Sequence, residues 1–231
     1  MNNNTFKNFS YSDSPGNAEI ERLVAKLDSL SNGKRTRITL VSSALTGEGK
    51  STIAALIARS TAYKLNTPTL LIDFDVRRPT LHNIFQVRRE KGLVDVLNLN
   101  LTIRNCLKQT SVPNLALLTS GKTDVDPNEL LKSDKIKVFL KGMGTYFHNI
   151  IIDSPPVIPV SDPLILAKLV DHIVLVLKAG HTPRSIVKRA IDMFADVNVQ
   201  VTGLVMNNMQ NVMPYQYDYR YYGYKYTPNG N

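Results

Sequence analysis

The stretch Ser43-Ala44-Leu45-Thr46-Gly47-Glu48-Gly49-Lys50-Ser51-Thr52 joins a short apolar run at residues 38–42 to a helical pattern at residues 50–64. Strand, glycine-rich turn and helix in that order make a phosphate-binding loop. Backbone N–H groups must turn inward around the anion, which needs glycine where a Cβ would obstruct the turn. The positive end of the following helix adds to the attraction. Thr46, Gly47, Glu48, Gly49, Lys50, Ser51 and Thr52 are therefore the expected nucleotide contacts. Lys50 supplies a point charge for the β- and γ-phosphates, and Ser51 a hydroxyl for Mg²⁺. The standard pattern G-x-x-x-x-G-K-[ST] has glycine where this chain has Ala44, so the loop is a deviant form. Gly47, Gly49 and the strand-turn-helix setting preserve the reading.

Two more apolar runs end in acids. Residues 69–73 continue as Leu70-Leu71-Ile72-Asp73-Phe74-Asp75, and residues 149–153 as Asn149-Ile150-Ile151-Ile152-Asp153-Ser154-Pro155-Pro156. Ligands of parallel sheets bind at the carboxyl ends of the strands. Asp73, Asp75 and Asp153 should thus converge beside the glycine loop, where they can hold Mg²⁺ or accept a proton from an attacking hydroxyl. Further strands are expected at 115–119, 172–177 and 201–206, and helices at 18–30, 135–143, 163–169 and 183–195. Runs such as Ile150-Ile151-Ile152 and Ile173-Val174-Leu175-Val176-Leu177 do not alternate, as in strands buried on both faces. Strand–helix alternation then gives an α/β fold with a doubly wound, mostly parallel sheet.

The chain divides into three parts: a polar, flexible arm at residues 1–17, a domain at 18–212 and a tail at 213–231. The tail holds Tyr215, Tyr217, Tyr219, Tyr221, Tyr222, Tyr224 and Tyr226, seven of the ten tyrosines. It has no aliphatic residue after Met213 with which to bury itself, so it reads as a flexible leash carrying phosphoacceptors. A low-complexity stacking surface is the plainer alternative.

At 231 residues the chain is long enough for one full core, and its 43% hydrophobic content is ordinary for a globular protein. The net charge of +9 suits an anionic partner without choosing one. Cys106 is the single cysteine, which excludes an internal disulfide and fits a reducing compartment. No run approaches the ~20 apolar residues of a membrane span. The expected location is cytoplasmic, at the inner face of the plasma membrane through a partner.

These residues together resemble the bacterial tyrosine kinases (BY-kinases), the cytoplasmic kinase domains of polysaccharide chain-length and export systems. The matching motifs are S-A-L-T-G-E-G-K-S-T, L-L-I-D-F-D-V-R-R-P and I-I-I-D-S-P-P, which stand where that family has its Walker A, A′ and B motifs. Asp126-Pro127-Asn128-Glu129-Leu130-Leu131-Lys132-Ser133 and Gly203-Leu204-Val205-Met206-Asn207 look like further family elements. The resemblance implies a P-loop NTPase fold with a deviant Walker A motif, using ATP and Mg²⁺. It implies an autokinase acting on its own tyrosine cluster and regulating exopolysaccharide or capsule synthesis. By the same resemblance Lys50 contacts phosphates, Asp73 is the base or orienter for the tyrosine hydroxyl, and Ser51, Asp75 and Asp153 hold the metal. Asn207 faces adenine. The implied partners are a membrane polysaccharide co-polymerase-type activator, a cognate tyrosine phosphatase, and further copies of the chain through the tail and the helix at 18–30. The family's oligomerisation pattern E-x-x-R-x-x-R departs here, Glu19 and Arg22 being followed by Ala25.

Two rival readings share the loop. A P-loop ATPase switch of the partitioning or positioning type usually carries an extra lysine early in the loop, where this chain has Leu45. A non-catalytic ATP-binding adaptor of a polysaccharide export complex would have no need of three intact acids. Nucleic-acid binding has only Arg88-Arg89-Glu90-Lys91 and the net charge behind it, with no recognition motif, and is not expected.

Overall fold

Leu40 and Val41 are both fully buried although they point to opposite faces of their strand, and the same holds for Leu70, Leu71 and Ile72. The computed structural model explains this with a sheet covered on both sides. It describes residues 15–31, 33–98, 101–122 and 134–208. Most of the 1–17 arm, Asp126–Ser133 and the 213–231 tail lie outside the described residues.

The strands are β1 (Arg37–Ser43), β2 (Thr69–Asp73), β3 (Lys108–Gln109), β4 (Leu115–Leu118), β5 (Asn149–Asp153), β6 (His172–Lys178) and β7 (Gly203–Asn207). They form a seven-stranded sheet in the order β3-β4-β2-β5-β1-β6-β7. Among the described residues only the β3–β4 pair is antiparallel. The other five pairs are parallel, as the non-alternating runs require.

The helices are α1 (Pro15–Ser29), α2 (Lys50–Lys64), α3 (Leu81–Ile84), α4 (Leu93–Asn98), α5 (Ile103–Cys106), α6 (Lys135–Met143), α7 (Asp162–Ala167) and α8 (Arg184–Asp196). On one face Val41, Leu71, Ile151, Val174 and Val176 pack against Ile53 and Ile57 of α2, with Ile20, Val24 and Leu27 of α1 in the same cluster. On the other, Leu40, Leu70, Ile150, Ile152 and Leu175 meet Phe139 and Leu140 of α6 and Phe194 of α8. Adjacent residues of one strand thus feed two separate cores.

The boundaries of α2, β2, α6 and β5 coincide with the sequence expectation. Helix α1 begins at Pro15, three residues early, because proline's fixed φ and missing N–H suit the first turn. Strand β7 starts at Gly203 rather than 201 and extends to Asn207. Elements α3, α4, α5 and β3 were not expected from the sequence. These elements run from two to six residues, too short for a period to repeat.

Candidate functional site

Parallel pairing sets Asp73 opposite Asp153, and Val41 of β1 opposite the same Asp153. Strands β2 and β5 therefore end at one level, and β1 runs two residues further, to Ser43, before the glycine loop leaves it. Phe74 N donates to Asp153 O at 2.8 Å, tying the β2 and β5 ends together.

Within the loop, Gly47 has φ 78° and Gly49 φ 90°, the left-handed region that a side chain strains. At Gly49 a Cβ would also stand 2.2 Å from Asn207 Nδ2, so glycine is required twice over. Gly49 caps α2 without any side-chain hydrogen bond, which leaves the first-turn N–H groups for a ligand. Ala44, the departure from the standard pattern, has no left-handed backbone, and its methyl is buried in the core. Glycine is not needed there.

Lys50 Nζ lies 2.9 Å from Asp75 Oδ2 and 3.5 Å from Ser51 Oγ. Burial pulls its pKa down, but Asp153, Asp75 and Asp73 together outweigh that and hold it above the ordinary lysine value. Asp75 Oδ1 accepts from Arg78 N at 2.9 Å. Asp73 is fully buried; its Oδ2 accepts from Leu81 N at 3.2 Å, and its Oδ1 has no partner. Neither oxygen of Asp153 makes a hydrogen bond of good geometry, and the residue is wholly buried. Burial, then the charge of Asp153, drives Asp73 well above the carboxylate range. Burial pushes Asp153 up to about 7, against the pull of Lys50 and the Ser51 hydroxyl.

A pH dependence follows. Raising a carboxyl's pKa on folding means that the folded chain holds a proton the unfolded chain releases. That contribution is fully present below the unfolded value of 3.8 and is lost as pH rises through about 7. The thermal midpoint of the ligand-free protein is expected to fall between about pH 5 and 8, and Asp153→Asn to flatten the fall. A midpoint that climbs over this range in both proteins contradicts the assignment.

Thr46, Gly47, Gly49, Lys50, Ser51 and Thr52 line a pocket of about 780 Å³, with Asp75 at its wall. Arg78, Thr80, Asn83 and Gln86 line the same pocket, and sequence reasoning singled out none of them. They follow β2 through a segment without periodicity, and only Arg78 lies inside a quoted motif. Asp73 and Asp153 lie behind this wall rather than on it. Glu48 is turned inward and buried, its Oε2 accepting from Leu45 N at 2.7 Å and its Oε1 from the Thr182 hydroxyl. Asn207 flanks the loop with both ends of its amide engaged. Its Nδ2 donates to Glu48 O at 3.0 Å, and its Oδ1 accepts from Asn208 N at 2.8 Å. All seven tail tyrosines lie outside the described residues.

No helix among the described residues is long and apolar enough to cross a membrane. The family described as ParA, NUBPL iron-transfer P-loop NTPase, matches residues 34–226. The putative tyrosine-protein kinase CapB of Staphylococcus aureus is 35% identical over 184 residues, covering 80% of each chain. The tyrosine-protein kinase CpsD of Streptococcus agalactiae is 32% identical, over 83% of this chain and 84% of its own. The crystal structure of the VpsO kinase domain superposes with a TM-score of 0.75 at 29% identity, over 84% of this chain and 96% of that one. With a mostly parallel sheet, a glycine loop opening α2 and acids ending β2 and β5, the chain belongs to the bacterial tyrosine kinases built on the ParA-type P-loop NTPase fold.

Proposed function

We propose that this chain is an ATP-dependent tyrosine autokinase that phosphorylates its C-terminal tyrosine cluster and thereby regulates capsule or exopolysaccharide synthesis. The observation that carries the reading is the gathering of Lys50, Asp73, Asp75 and Asp153 at a loop that Asn207 touches. Asn207 ends the strand from which the chain continues into the tyrosines.

Phosphoryl transfer asks for alignment and charge neutralisation more than for covalent chemistry by the protein. ATP lies with its phosphates against the 46–52 loop, and Lys50 exchanges Asp75 for the γ-phosphate. Asn207 borders the nucleotide on the base side. The residues fit a divalent cation, since Asp153 offers buried oxygens that no hydrogen bond of good geometry engages, beside Ser51 and Asp75. Ser51, Asp75 and Asp153 would hold Mg²⁺, which when bound with ATP neutralises charge on the phosphoryl oxygens. A tyrosine hydroxyl has an ordinary pKa of ~10, so a base must orient it and take its proton. Asp73 does this: the tyrosine oxygen bonds to the γ-phosphorus, the bond to the β-phosphate oxygen breaks, and the proton passes to the carboxylate. ADP leaves.

The chain between the end of β7 and the first tail tyrosine is short. Asn207 lies against the loop, and residues 208–214 span up to about 25 Å when extended, so length alone selects neither transfer within one chain nor transfer between two. Helix α1 buries its apolar face against α2, so it offers a second copy its charged side, where Glu19 and Arg22 pair at 2.7 Å. Self-association through this side and the tail, a membrane co-polymerase-type activator, a cognate phosphatase and a place at the inner membrane face complete the proposal.

Mass spectrometry after incubation with Mg-ATP tests the reading. Phosphate is expected on the 215–226 tyrosines, and a variant with all seven changed to Phe is expected to bind nucleotide normally but gain none. Phosphorylation of that variant at the wild-type level would overturn the assignment of the acceptors. ATP hydrolysis without any phosphotyrosine favours the partitioning-type switch instead.

A further inference from the structure

Glu48 stands in the loop, yet its carboxylate faces away from the pocket. It is 1% exposed and works as a bridge. One oxygen accepts from Leu45 N at 2.7 Å, closing the loop on itself. The other accepts from the hydroxyl of Thr182, which lies beyond the end of β6. Thr182 has no freedom to do otherwise. Its Oγ1 accepts from Lys178 N at 3.1 Å, which leaves its single proton for Glu48. Its own N–H donates to Lys178 O at 3.0 Å, so the turn at 178–182 is fixed to the strand it follows. The main chain of Glu48 is gripped as well, by Asn207 Nδ2 at 3.0 Å, while Asn207 O accepts from Ala179 N at 2.9 Å.

The next residues, Gly49 to Ser51, present the N–H groups and the lysine that meet phosphate. Their direction depends on where Glu48 is anchored. A loop of this kind binds an anion well only if its donors already converge, because ordering them at the moment of binding subtracts from affinity.

From this geometry we infer that Thr182, through Glu48, is a positioning residue for nucleotide binding that braces the phosphate loop from the β6–α8 turn. The inference deepens the proposed function and rests on the same pocket. Its effect is on affinity rather than on the transfer step.

The test is calorimetric titration of the full chain with Mg-ADP, with KM and kcat for ATP measured alongside. Thr182→Val keeps the shape and removes the donor to a buried carboxylate. It is expected to weaken Mg-ADP about tenfold and to raise KM equally, leaving kcat at saturating ATP within about twofold. Thr182→Ser, which keeps the hydroxyl, is expected to restore affinity to within about twofold. If the valine variant is poorly folded, Glu48→Gln reads the same brace. In the double variant, the two losses should then combine to less than their product. Unchanged affinity in Thr182→Val, or equal losses in the valine and serine variants, overturns the inference. So does a lower unfolding temperature without any change in Mg-ADP binding, the mark of a purely structural contact. Because Mg-ADP binding needs no tyrosine, the brace can stand while the kinase reading falls, and the reverse.

Discussion

Replacing Lys50 with Met is expected to lower phosphotyrosine formation by on the order of 10³-fold, because the cation proposed at the transferred phosphate is removed where charge develops. The structure adds a second consequence. Lys50 Nζ is 2.9 Å from Asp75 and is also drawn by Asp153 and Asp73, so the variant leaves three acids without their counter-charge. Asp73 and Asp153 already hold protons more tightly than ordinary carboxyls, and without the lysine they hold them tighter still. The variant therefore folds, with its thermal midpoint falling more steeply than the wild type's as pH rises through about 7. Quantitative phosphotyrosine detection together with circular dichroism at two pH values checks both parts. Wild-type phosphotyrosine in a folded variant removes Lys50 from the mechanism.

The second large effect is expected at Asp73. Asp73→Asn keeps the shape and can still accept the Leu81 N–H, but it cannot take a proton. Transfer should fall about 10²-fold or more, while Mg-ADP affinity stays within about threefold. Asp75→Asn should show the opposite balance, since Asp75 is the carboxylate at the pocket wall and the one paired with Lys50. Asp73 sits behind the wall with one oxygen on a backbone N–H and the other without a partner, a site where burial makes the charged form a strong proton acceptor. If binding and transfer fall together in Asp73→Asn, its carboxylate belongs to the metal shell and the base must be sought elsewhere.

Much of this was legible in the residues because the signals are local. The run Leu70-Leu71-Ile72-Asp73 reads as a strand buried on both faces and ending in a polar site, since three consecutive aliphatics without alternation suit a covered parallel sheet. Gly47 and Gly49 before Lys50-Ser51 name the phosphate loop, since positive φ and close approach exclude side chains there. The seven tail tyrosines are the proposed acceptors, read from composition alone.

The tertiary structure alone decided how these pieces meet. The strand order β3-β4-β2-β5-β1-β6-β7, not sequence distance, sets Asp73 beside Asp153 and brings the end of β7 to the loop. The inward turn of Glu48 could not be read from the chain, because a carboxylate in a glycine loop suggests a ligand contact until its partners are known. One of those partners, Thr182, is 134 residues away along the chain. Helix α1 likewise reads as a free amphipathic surface until α2 covers its apolar side. Composition and period fix which residues must be buried or turned. Which long-range partner satisfies a buried polar group is settled only when the strands are laid side by side, because its partners are then set by position in the sheet and not by position in the chain.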